Sequence, residues 1–194
     1  MALTRPPIAA EPLTYEDYLA EGEVMRRYDI VDGERHWMTN SARRHQRILQ
    51  RILRLLQDYE IASGRGQVLV APCDLLIQRA PLRTRQPDLL VISHERLAQC
   101  GPDTEPTPLL AAPELVVEIL SPSDTRSQRD AKMEDYRAVG VIECWVVSPE
   151  AETVEVLRLT GDGTERVGIY GSGDLLRSGA FPELVVPIVS IFAA

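Results

Sequence analysis

Residues 113–140 read PELVVEILSPSDTRSQRDAKMEDYRAVG. The segment opens on an apolar run, Leu115, Val116, Val117, Ile119 and Leu120, rich in β-branched residues and bounded by prolines. That pattern predicts a strand buried on both faces. Glu118 stands inside the run, where a carboxylate is costly to desolvate without a cation, a metal or a hydrogen-bond network. Ser121-Pro122 ends the strand, because proline cannot continue a ladder. Ser123 and Asp124 read as the cap and first turn of a helix that runs to about Val139, with Gly140 as its stop. Lys132 lies in that helix, and it is the single lysine among twenty-one basic residues. Lysine is a compact charge on a flexible stem, with a pKa that shifts on burial, so a lone lysine in an arginine-rich chain asks for a reason.

Working outward toward the N-terminus, Gln86 to Ile92 (QPDLLVI) is a second buried-looking strand with a carboxylate, Asp88, at its start. An arginine-rich loop precedes it. Gln67 to Ala71 and Cys73 to Gln78 are candidate strands separated by Pro72, which marks a bend. Ser41 opens a helix to about Tyr59 or Ala62, with Ile48, Ile52, Leu55, Leu56 and Tyr59 on one face and arginines on the other. Asp32-Gly33 between two short extended runs is a hairpin signal, and Glu34 follows the turn directly. Thr14 caps a short helix. Residues 1–12, rich in proline and alanine, are expected to be flexible.

Toward the C-terminus, Ile142 to Val147 forms a further buried strand. Thr153 to Leu159 and Glu165 to Tyr170 flank the turn Gly161-Asp162-Gly163. The tail FPELVVPIVSIF supplies a last strand and an apolar segment that closes the core. Residues 93–112 are a surface excursion with one helical piece. The expected architecture is one mixed α/β domain over residues 13–194.

Composition excludes several classes. The chain has 194 residues, enough for one well-buried domain, and no apolar run approaches the roughly 20 residues that span a membrane. Without an apolar core of signal-peptide type at the N-terminus, a cytoplasmic protein is expected. Three distant cysteines without CxxC spacing read as free thiols. A net charge of −8 does not suit a protein that coats nucleic acid, although it leaves room for local contact. The arginine clusters at positions 43–54, 79–85 and 126–129 read, each by itself, as solvated faces.

If the strands of Asp88 and Glu118 pair, their carboxylates converge. Two such groups, with carbonyl oxygens and water, make an oxygen-rich site suited to Mg²⁺, with Mn²⁺ as substitute. Lys132, one helix away, is placed to hold a water or to neutralise charge on a phosphate oxygen. Each residue has a plainer reading: Asp88 as a turn residue, Glu118 as the partner of a structural arginine, Lys132 as a surface lysine. The combination is what points to phosphodiester chemistry. Gln128 and Tyr136 lie one helical turn either side of Lys132 and are candidates to line the site. His45 is a further candidate, with a partly exposed, unpartnered helical histidine as the plainer description.

Pro87-Asp88, Glu118 and the block from Pro113 to Glu150 resemble the PD-(D/E)XK nuclease superfamily, and more closely its restriction-endonuclease branch, the Uma-two family. The resemblance covers most of the chain. It implies a restriction-endonuclease-like fold: a central mixed sheet flanked by helices, here with an N-terminal helix and β-hairpin. It also implies a Mg²⁺-dependent DNA endonuclease that needs no organic cofactor and works as a homodimer. By position, Asp88 matches the PD and Glu118 the second acid. The superfamily's lysine site two residues after that acid is Leu120 here, and Lys132 takes its place. Glu34 matches an upstream acid that serves as an additional metal or water ligand. The competing expectation is a catalytically inactive module of the same fold that binds protein or DNA.

Overall fold

The computed structural model describes residues 11–39, 41–101 and 107–193. The expected flexible segment at residues 1–12 therefore lies almost wholly outside the described residues, as does part of the excursion before Pro113.

Six strands form the central sheet: β3 (Gly66–Val70), β6 (Leu89–Ser93), β7 (Leu115–Ile119), β8 (Glu143–Ser148), β9 (Thr153–Thr160) and β10 (Gly163–Tyr170), in the spatial order β10-β9-β8-β7-β6-β3. Among the described strands of this sheet only β7 and β8 run parallel, and the helix α4 (Arg126–Val139) crosses between them. The crossover requires the helix that the segment 113–140 encodes, because parallel strands cannot be joined by a tight turn. The N-cap is Thr125 rather than Ser123. Its side chain accepts from the Gln128 N–H while Gln128 reaches back to the Thr125 N–H, a reciprocal capping box. Gly140 ends the helix at φ 95°, a left-handed conformation that favours glycine.

Alternation along the central strands assigns the two faces. Leu89, Val91, Leu115, Val117 and Trp145 pack with Ile48, Ile52 and Leu56 of the long helix α2 (Arg43–Ser63). Leu90, Ile92, Val116, Cys144 and Val146 pack instead with Met133 and Tyr136 of α4. Burying each of these aliphatic side chains contributes about 2 kcal/mol. The apolar face read from α2 is the observed one, though its N-cap is Ala42 and carries no side-chain cap.

A second sheet of four strands carries the N-terminal hairpin. It comprises β1 (Tyr28–Val31), β2 (Glu34–Trp37), β4 (Leu75–Gln78) and β5 (Arg83–Arg85), in the order β2-β1-β5-β4. Asp32 and Gly33 form the turn at φ 53° and 80°, the geometry that Asp-Gly favours. Tyr28, Ile30 and Leu82 make a small core with Tyr18 of α1 (Tyr15–Glu21). The stretch expected to be a loop before Gln86 is thus partly strand β5, and it leads directly into β6.

The tail adds β11 (Leu175–Arg177) paired with β12 (Val185–Pro187), and the short helix α5 (Val189–Phe192). Val186, Ile188 and Ile191 are buried in the main core, as expected of a closing segment. The excursion after β6 begins with α3 (His94–Leu97). No described helix is long and apolar enough to cross a membrane.

Candidate active site

Leu89 pairs with Val117 in the antiparallel β6–β7 ladder, so Asp88 and Glu118, one step further along, stand opposite each other. The Ile119 N–H donates to Asp88 Oδ2 at 2.8 Å, which fixes that approach. Both acids are nearly fully buried, yet both border a cleft of about 720 Å³ between the hairpin, the N-terminal turn of α2 and α4. The sheet register brings the two acids together, as the sequence led us to expect.

Asp88 is held from two sides. Its Oδ1 accepts from Arg27 at 2.7 Å, and His45 Nε2 lies 3.4 Å from Oδ2. Burial by itself would push this carboxyl up. The contact with His45, the charge of Arg27 and the Ile119 N–H outweigh it and hold the group at about 2. His45 is therefore not the exposed, unpartnered histidine of the plainer expectation. It is buried in the first turn of α2, and its Nδ1 has no partner among the described residues.

Glu118 lies on the α4 face of the sheet. Lys132 Nζ donates to its Oε2 at 2.8 Å, and the Tyr136 hydroxyl donates to Oε1. The two donors sit four residues apart on α4, one turn, so one helix face serves both carboxylate oxygens. Burial and the neighbouring Asp88 push the Glu118 carboxyl up, against the pull of Lys132. Burial opposes the charge on Lys132, but Glu118, Asp29 and Asp88 outweigh it and raise its pKa, so it stays an ammonium.

Gln128 lines the same cleft, but its Oε1 is committed to the Thr125 N–H and hydroxyl, each at 2.9 Å. Glu34 is not brought to the site. It pairs with Val31 at the turn end of the hairpin and is exposed. The buried acid of this hairpin is Asp29, which does border the cleft. Asp29 accepts from the Gln86 N–H at 3.0 Å and pairs with Arg85 at 2.8 Å. Arg85 in turn holds Asp135 of α4 at 2.6 Å, and Arg83 holds the same carboxylate at 2.9 Å. These arginines were expected to be solvated; they instead lock the small sheet to α4. A clue was available: Tyr28 and Ile30 take the core face, so Asp29 must take the other.

Among the described residues no three His, Cys, Asp or Glu side chains cluster closely enough to form a complete cage for an ion. The donors present do suit a hard cation. Each carboxylate offers about four lone-pair positions, and the protein uses only part of them on Asp88 and Glu118. Mg²⁺ is commonly held by one or two carboxylates, with water and phosphate oxygens completing the shell. Asp88 and Glu118 fit that pattern.

The fold is shared with a solved protein. A crystal structure from Anabaena variabilis, described as a “putative nuclease”, superposes with a TM-score of 0.76 at 19% identity, covering 94% of this chain and 98% of that one. No curated protein matches the sequence. The family model described as “Uma2: Putative restriction endonuclease” matches residues 14–189, and the chain belongs to that family.

Proposed function

We propose that this protein is a Mg²⁺-dependent endonuclease that hydrolyses phosphodiester bonds of DNA. The observation that carries the proposal is the facing pair Asp88 and Glu118 lining a cleft, with the Lys132 ammonium on Glu118. Asp88 and Glu118 would hold the cation. The chemistry that a cation supplies there is a more acidic water and neutralised charge on a phosphate.

The protein's own groups have separable tasks. Arg27, His45 and the Ile119 N–H keep Asp88 ionised and oriented. Tyr136 fixes the rotamer of Glu118. Lys132 is held protonated, so it acts as a donor that stabilises negative charge growing on a phosphate oxygen, and not as a general base. Family membership supports the nuclease reading, and the “putative nuclease” of the same fold agrees with it.

A second reading has one observation in its favour. Every oxygen of the two carboxylates already has a protein donor, as in a closed structural network. On that reading the chain is an inactive module. Nicking of supercoiled plasmid with Mg²⁺ or Mn²⁺ separates the two. The nuclease cuts, and Asp88→Ala, Glu118→Ala and Lys132→Ala each lose about 100-fold or more. A wild-type chain that cuts no plasmid, linear or single-stranded DNA with either metal would leave the inactive module.

A further inference from the structure

Beside the cleft, the hairpin carries an aromatic feature that the chemistry of Asp88, Glu118 and Lys132 does not use. Trp37, the last residue of β2, is 44% exposed and lines the cleft. Strand β2 is the outer edge of its sheet. The guanidinium groups of Arg26 and Arg35 lie 4.9 and 5.2 Å from the Trp37 ring centroid, and Tyr28 meets the ring edge-on at 5.5 Å. Arg35 is tied to Glu21, whereas Arg26 is exposed and has no carboxylate partner among the described residues. Arg26 lies over the exposed indole; where it turns from the ring to a phosphate, the indole offers a stacking face for a base.

The charges inside the cleft bear on which nucleic acid fits. Arg27, Arg85 and Lys132 are each neutralised by Asp88, by Asp29 with Asp135, and by Glu118. Among the described residues that line it, the cleft therefore lacks a row of free cations to follow a duplex backbone. The chain as a whole carries −8. Duplex DNA concentrates one charge per roughly 1.7 Å of axis, about twice the density of a single strand, and an acidic protein repels it more strongly. Binding that gains little from phosphates inside the cleft has to draw on bases, and bases are free to stack on a side chain only where they are unpaired.

From this we infer that Trp37 with Arg26 is a stacking platform for an unpaired base next to the scissile phosphate, and that the preferred substrate is single-stranded or locally unpaired DNA. The inference rests on the nuclease reading above and adds the substrate class.

The test uses a convenience of this sequence. The chain has two tryptophans, and the other, Trp145, is fully buried. Emission that responds to an added oligonucleotide therefore reports on Trp37. The full chain is titrated in EDTA, where nothing is cut, with a single-stranded oligonucleotide and with the matching duplex. The single strand should quench the emission and bind more tightly than the duplex. Trp37→Ala should weaken single-strand binding on the order of 10- to 100-fold, Trp37→Phe by less, with Trp145 emission showing that both variants are folded. Single-strand binding without quenching, or with unchanged affinity in Trp37→Ala, overturns the platform and leaves the nuclease standing. So does tighter binding of the duplex. If neither form binds, and neither is cut once Mn²⁺ is added, the nuclease reading falls and the substrate class falls with it.

Discussion

Glu118 and Glu143 are buried carboxylates on neighbouring parallel strands of one sheet, and they are satisfied in opposite ways. Glu143, at the start of β8, accepts from the Trp145 indole at 2.7 Å, the Ser178 hydroxyl at 2.8 Å and the Gly179 N–H at 2.6 Å. These are three neutral donors. Glu118, in β7, takes one tyrosine hydroxyl and one ammonium, and it borders a cleft. Burial of an acid is common to both and so cannot identify a site. What separates them is oxygen capacity left over beside a cleft, and a lysine ammonium in place of neutral donors. Glu143 ties β8 to the tail; Glu118 is left able to accept something more.

Exchanging each acid for its amide should divide activity from stability. Glu118→Gln should lower plasmid nicking about 100-fold or more, with a urea-derived stability within about 1 kcal/mol of wild type, because the amide oxygen still accepts from Lys132 and the Tyr136 hydroxyl can turn to accept from its N–H. Glu143→Gln should do the reverse. An amide sets an NH₂ against donors, and each buried donor left unpaired costs about 1–3 kcal/mol, so a loss of about 2–4 kcal/mol is expected. Nicking per folded molecule should then stay within about threefold. The contrast breaks if Glu143→Gln abolishes cutting in a folded protein.

Lys132→Met sharpens the same contrast at smaller amplitude. It leaves Glu118 with Tyr136 alone and removes the proposed charge stabiliser. Nicking should fall about 100-fold. Breaking a fully buried pair costs about 3–5 kcal/mol, but the Lys132 side chain is 21% exposed and water can reach it. A loss of about 1–2 kcal/mol by urea titration is the expected outcome. Full activity in this variant would return the basic role to another side chain.

Much of this site was legible in the sequence because it depends on local pattern. A lone acid in an apolar strand, a proline-terminated ladder and a lysine spaced one turn from a tyrosine are each visible in residues 113–140. Asp88 was legible for the same reason, at the head of an apolar strand. What could not be read was pairing across sheets. Arg27 reaches Asp88 over a separation of 61 residues, and Arg85 reaches Asp29 over 56. Nothing in an arginine's immediate neighbours distinguishes a locked side chain from a solvated one. The hairpin shows the limit most clearly. The Asp32-Gly33 turn is the one the sequence predicts, but the hairpin acid that borders the cleft is Asp29, not the expected Glu34. Alternation with Tyr28 and Ile30 placed Asp29 off the core face; only the second sheet shows that this other face meets the cleft.

The smallest effect is also the one that tests the two cleft acids against each other directly. Asp88 is held at about 2, below its ordinary 3.8, so its ionised form favours the folded state. That stabilisation is complete above about pH 4 and is lost as pH falls toward 2. Glu118 is shifted upward. Its contribution is therefore full below its ordinary value near 4.5 and is lost as pH rises through the folded value. In EDTA, Asp88→Asn should start less stable but lose on the order of 2 kcal/mol less than wild type between pH 4.5 and 2, followed by urea titration at each pH. Glu118→Gln should leave that acid limb intact and instead flatten the loss above pH 4.5. Parallel curves for Asp88→Asn and wild type would mean that Arg27 and His45 do not hold Asp88 in solution. An Asp88 freed in that way would give the cleft a more open carboxylate, and would weaken the case for the closed, inactive network.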